Sequence, residues 1–144
     1  MADEGVTLDA SALLAFLRRE PGWEVVDAAL AGGAAISILN LAEVLTKLAE
    51  AGANPRAALA DLERDGVVST MTGSDTDPLI QIVPLLPEDA IEAARLRLGT
   101  KALGLSLGDR VCLATAVRLG TPALTADKRW ADVPNLPIAV RLIR

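Results

Sequence analysis

The 144-residue chain has no histidine and no tyrosine, a single cysteine, one phenylalanine and two tryptophans. Without histidine there is no Ser-His-Asp triad, no imidazole acid–base pair and no His-rich zinc site. The lone Cys112 excludes an internal disulfide and any CxxC pair. Phe16, Trp23 and Trp130 are too few aromatics for a base-stacking platform of the RRM or OB kind. GxxxxGK[ST] is absent, which excludes P-loop chemistry. Long hydrophobic runs are lacking too. The longest, AALAGGAAISILNLA, is broken by Gly, Ser and Asn and falls short of the about 20 residues a membrane span needs. No charged segment followed by an apolar one stands at MADEGVTLDASAL, so the expected location, given the sparse cysteine, is the cytoplasm.

Basic charge is also in short supply. The net charge is −5, which by itself speaks against a polyphosphate ligand. The deficit is uneven, however: residues 1–72 carry 11 acids and 5 bases, residues 73–144 carry 8 acids and 9 bases. Whole-chain charge therefore does not decide the ligand.

What is present is alternation of apolar strands with amphipathic helices over one domain, 1–144, without repeats or linkers. VTLDA reads as a strand and ALLAFLRRE as a helix; PGWEVVDAALAGG follows as a helix with Pro21 in its first turn. AAISILN reads as an apolar strand, and LAEVLTKLAEAG as a helix with Leu41, Val44, Leu45 and Leu48 on one face. NPRAALADLERDG is a helix opened by Asn54-Pro55 and stopped by Gly66, and STMTGSDTDP a polar loop. LIQIVPLL is a strand, PEDAIEAARLRLG a helix begun by Pro87, and SLGDRVCLATAVRLG a helix aligning Cys112, Ala116 and Leu119. PALTA, a short helical turn at KRWADV, and the strand PIAVRLI complete the chain. Strands apolar on both faces and separated by helices predict a three-layer α/β/α fold with a mostly parallel sheet of four to five strands.

In such a sheet ligands bind beyond the carboxyl ends of the strands. Four acids fall where a strand gives way to a helix: Asp9, Glu43 (three residues past Asn40), Asp109 (three past Ser106) and Asp127. Each has a local explanation. Asp9 and Asp127 suit N-caps, Asn40 with Glu43 resembles a capping box, and Ser106 with Asp109 a looser one. Jointly, parallel topology gathers several on one sheet edge, where two unit charges about 4 Å apart repel by about 4 kcal/mol at an effective dielectric near 20. A cation is expected there, and oxygen-only ligands favour Mg²⁺ or Mn²⁺. A carboxylate-held ion activates water and neutralises phosphoryl charge, which is a route to phosphodiester hydrolysis without imidazole.

VTLDASALLAFL, ILNLAEVLTKL, LSLGDRVCLATA and PALTADKRW, in this order and spacing, resemble the PIN-domain nucleases, specifically the VapC-type toxins, over nearly the whole chain. The resemblance implies a PIN-like (Rossmann-like) fold and endonucleolytic cleavage of RNA with Mg²⁺ or Mn²⁺ held by Asp9, Glu43, Asp109 and Asp127. Asp9 and Asp109 would be direct ligands. It also implies an antitoxin that blocks the site, and a homodimer. Thr125 takes the family's small-hydroxyl place in LTAD, with a backbone-bonding strand Thr as the plainer alternative, and Ser11 has the same two readings. Arg110, Lys128, Arg129 and Lys47 stand near these acids in sequence and are candidates to hold the substrate backbone; for each, a solvated charge is the alternative. Arg18 and Arg19 complement a helix dipole. Asp132 reads as solvated, Trp130 as packed under the last strand or stacked on a nucleotide, and Cys112 as a small core residue. Two other readings compete: a catalytically silent interaction module whose acids only cap helices, and a Mg-dependent phosphoryl-transfer domain on the same fold.

Overall fold

A computed structural model describes residues 5–70 and 78–144. The strands are β1 Val6–Leu8, β2 Ala34–Ser37, β3 Val68–Ser69, β4 Ile80–Val83, β5 Ala123–Thr125 and β6 Val140–Leu142. The helices are α1 Ala10–Arg18, α2 Trp23–Leu30, α3 Ile38–Glu50, α4 Pro55–Arg64, α5 Pro87–Thr100 and α6 Leu107–Leu119, with a 3₁₀ turn at Lys128–Asp132. The strands form one sheet in the order β3-β4-β2-β1-β5-β6, and every pairing is parallel.

The strands are covered by two cores on opposite faces of the sheet. Val6, Leu8, Ile36, Ile80, Ile82 and Leu124 pack with Leu13, Leu14, Val26, Leu41 and Val44 from α1–α3. On the opposite face Ala123 packs with Leu96 of α5, Cys112, Leu113 and Ala116 of α6, and Trp130. The three-layer α/β/α architecture follows. The chain leaves β1 toward β2 on one side and β5 toward β6 on the other, so the switch in strand order lies between the carboxyl ends of β1 and β5.

The structure departs from the sequence reading in four places. The sheet has six strands because the two-residue β3 adds an edge; most of the expected polar loop lies outside the described residues. The run ISILN divides: Ser37 ends β2 and caps α3, its hydroxyl accepting the Asn40 N–H at 3.0 Å, so Ile38 is already helical. Pro21 lies outside α2, whose N-cap is Gly22. Gly22 has φ 94°, and a Cβ there would meet the Ile143 carbonyl oxygen at 2.3 Å, so only glycine fits. Leu119 is 38% exposed and leaves the apolar face that Cys112 and Ala116 form.

Candidate active site

Asp9 follows β1 directly and is the N-cap of α1. Its Oδ1 accepts the Ala12 N–H at 2.8 Å and the Ser11 hydroxyl at 2.7 Å. Its Oδ2 accepts the Thr125 hydroxyl, from the end of the neighbouring β5, at 2.6 Å. Thr125 Oγ1 in turn accepts the Asp127 N–H, and Ser11 Oγ accepts the Ala126 N–H, both at 3.0 Å. Each hydroxyl therefore accepts a backbone N–H and donates to the Asp9 carboxylate. Asp9 is 5% exposed and, among the described residues, forms no ion pair. Burial pushes its carboxyl up to about 6, against the hydrogen bonds from Thr125, Ser11 and Ala12, with the charge of Asp109 adding to the rise.

Asp109 closes a full capping box with Ser106: its N–H meets Ser106 Oγ at 3.2 Å and its Oδ2 accepts the Ser106 N–H at 2.9 Å. Glu43 lies on the second turn of α3, and the cap of that helix is Ser37; the capping-box reading of Asn40 with Glu43 is thereby corrected. Asn40 serves differently. Its Nδ2 donates to Glu43 Oε1 at 2.7 Å and to the Gly108 carbonyl at 3.1 Å, tying α3 to the start of α6. A Cβ on Gly108 would stand 2.4 Å from Glu43 Oε2, so the missing side chain is what lets this carboxylate rest against the start of α6. Asn40 and Gly108 were not singled out as positioning residues; the available signals were an Asn one turn before Glu43 and a Gly directly before Asp109.

Asp127 caps the 3₁₀ turn through the Arg129 N–H, and the Arg129 guanidinium holds its carboxyl below the ordinary range. Among the other bases, the structure turns most away from the acids. Arg110 reaches across to α5, donating to the Ala93 carbonyl at 2.8 Å, in a groove lined by Leu86, Asp89, Leu107 and Val111. Lys47 pairs with Glu50 at the surface, and Arg19 stacks on Phe16 and Trp23. Lys128 is exposed beside the site. Trp130 is core, Asp132 exposed, and burial pushes the Cys112 thiol well up. The charges of Asp9, Asp109 and Glu43 add to that rise.

The four acids thus border one end of the sheet at its switch point. As they stand, no three acidic or thiol side chains among the described residues are grouped tightly enough to hold a metal ion. Donor chemistry nonetheless fits a hard cation: the candidate ligand atoms are all oxygens, and one carboxylate is buried without a cationic partner among the described residues.

Residues 6–136 match the family model of the PIN domain, and the chain belongs to that family. PIN domains are nucleases. The fold is shared with a chain of DNA-bound VapBC from Salmonella typhimurium (15% identity, TM-score 0.68, covering 99% of this chain and 100% of that one). FitAcB from Neisseria gonorrhoeae is similar at 20% identity and TM-score 0.64, over 96% and 97% of the two chains. VapBC-5 from Mycobacterium tuberculosis, a member of the VapBC family of toxin-antitoxin systems, is similar at 24% identity and TM-score 0.58, over 99% of both. No curated protein matches. No helix among the described residues is long and apolar enough to cross a membrane.

Proposed function

We propose that residues 1–144 form one metal-dependent endoribonuclease domain that cleaves RNA phosphodiester bonds as the toxin of a toxin-antitoxin pair. In this reading it is a cytoplasmic homodimer whose partner is a cognate antitoxin. The observation that carries the catalytic part is Asp9: a carboxylate buried at the switch point, unpaired and within the field of Asp109. The antitoxin is supported by the toxin-antitoxin complexes among the structural relatives.

Asp9 and Asp109 would hold Mg²⁺ or Mn²⁺ directly, with Glu43 and Asp127 completing the set. Such an ion supplies an activated water and neutralises charge on a phosphoryl oxygen. The chain's own residues do the rest. Thr125 and Ser11 fix the Asp9 oxygens. Asn40 holds the Glu43 carboxylate against α6. Lys128, exposed and next to Asp127 in sequence, would meet a substrate phosphate. Arg110 lies toward α5 and takes no part in this arrangement.

The silent-module reading has a specific observation behind it, because Asp9, Asp109 and Asp127 all make capping hydrogen bonds. The two readings part on metal dependence. The nuclease cuts RNA in Mg²⁺ or Mn²⁺, stops in EDTA, and loses cutting in Asp9→Asn and Asp109→Asn with the fold intact. A module cuts under no metal.

A further inference from the structure

The best-held cation of the site has no role in the function proposed above. All three side-chain nitrogens of Arg129 are engaged. Nε donates to Asp127 Oδ1 and Oδ2 at 3.0 and 3.1 Å, and Nη2 to Asp127 Oδ2 at 2.5 Å. Nη1 donates to the carbonyls of Leu103 and Gly104, each at 3.1 Å, in the connection between α5 and α6. Nη2 also lies 3.9 Å from Asp109 Oδ2. The planar fork therefore holds Asp127 through two nitrogens, the geometry in which arginine binds carboxylate most specifically, and brings its charge within 3.9 Å of Asp109.

The remaining acids are treated differently. Asp9 receives only neutral donors from Ala12, Ser11 and Thr125, and Glu43 receives the Asn40 amide. The site is thus split into an open half, Asp9 with Glu43, and a half that already carries a cation, bonded to Asp127 and close to Asp109. Carboxylate oxygens bonded to a guanidinium are not free to bind a divalent cation at the same time. The Arg129 side chain is half exposed, so water can take up its charge when it leaves, and its two carbonyl partners lie outside the acid set.

We propose that Arg129 is a built-in counter-cation that closes the Asp127–Asp109 half of the site and must release it before a divalent cation binds. The inference rests on the metal reading of the four acids.

The test is titration of the full chain with Mn²⁺, following free Mn²⁺ by its spin resonance, for wild type, Arg129→Gln and Lys128→Gln. Lys128 sits in the same turn and carries the same charge, and it makes no bond to the acids among the described residues. Arg129→Gln is expected to bind Mn²⁺ about fivefold tighter, the upper range for release of a solvent-accessible ion pair, with Lys128→Gln within twofold of wild type. Equal affinity of Arg129→Gln and wild type, weaker binding by Arg129→Gln, or equal tightening by Lys128→Gln overturns the role of Arg129 and leaves the metal site standing. Absence of Mn²⁺ binding in every chain overturns both. Should Arg129→Gln fail to fold, Arg129→Lys keeps the charge and loses the fork; it too must bind tighter than wild type, and equality refutes the proposal.

Discussion

Replacing Asp9 by Asn is expected to stabilise the metal-free protein above pH 6. The Asp9 carboxyl is raised from 3.8 to about 6 in the folded chain, chiefly by burial. At about 1.4 kcal/mol per unit, keeping it ionised in the fold costs about 3 kcal/mol at pH 8. Between pH 3.8 and 6 the native state binds more protons than the unfolded chain. Stability from this group is therefore full below 3.8, falls as pH rises through that window, and is level above it. Asparagine removes the charge and still caps Ala12, but its amide meets a Thr125 hydroxyl whose oxygen already accepts the Asp127 N–H. That mismatch returns about 1 kcal/mol, the net contribution of one hydrogen bond. The expected gain is about 2 kcal/mol at pH 8, roughly 7 °C for a chain of this size. Below pH 4 the sign reverses, because wild-type Asp9 is then neutral and better bonded. Urea unfolding of both proteins in EDTA from pH 4 to 8 gives the comparison, and parallel pH curves for the two would refute the claim that burial of this charge opposes folding. Added Mn²⁺ is expected to raise the wild-type midpoint and leave that of Asp9→Asn in place.

Thr125→Val removes the shortest bond to Asp9 and is expected to move the Asp9 pKa further up and to destabilise the fold at pH 8 by about 1–3 kcal/mol, with Thr125→Ser close to wild type; urea midpoints across pH read both. Gly108→Ala lies inside α6, where alanine is the better helix former, and its new Cβ displaces the far end of the Glu43 side chain. Stability within about 1 kcal/mol of wild type, with clearly weakened Mn²⁺ binding, is expected, and unchanged binding would exclude Glu43 from the site. Arg118→Ala leaves Asp89, 2% exposed, without the guanidinium that donates to it at 2.8 Å. The loss is expected to be about 2–3 kcal/mol by urea unfolding, below the full cost of breaking a buried pair because Arg118 is partly solvated.

What was legible depended on how local the signal was. Ser106 with Asp109, and Asn54 with Pro55, are complete instructions within four residues, and both helices begin where these residues place them. The β2–α3 boundary was not legible in the same way. Ile38, Leu39 and Leu41 are as apolar as the strand before them, and only the Ser37 hydroxyl marks the change. β3 escaped notice because two residues carry no period. Direction was the harder quantity. Arg110 adjoins Asp109 in sequence, but each residue of a helix turns by about 100°, which carries its guanidinium toward α5. Arg129 is two residues from Asp127 in a tighter turn and curls back onto it. Neighbours in sequence thus became opposites in space for one arginine and partners for the other.

Helix capping and the proposed cation site draw on the same geometry here. A parallel sheet with helical crossovers sets the starts of successive helices along its carboxyl edge, so side chains that cap those helices are gathered without any further design. Capping accounts for where the oxygens of Asp9, Asp109 and Asp127 lie, but it does not account for their charge. Asparagine caps as well as aspartate, and at Asp9 it would spare the fold a buried anion. A carboxylate kept where its ionisation opposes folding is what the proposed metal site requires, since a hard cation would turn the same charge from a burden into a ligand.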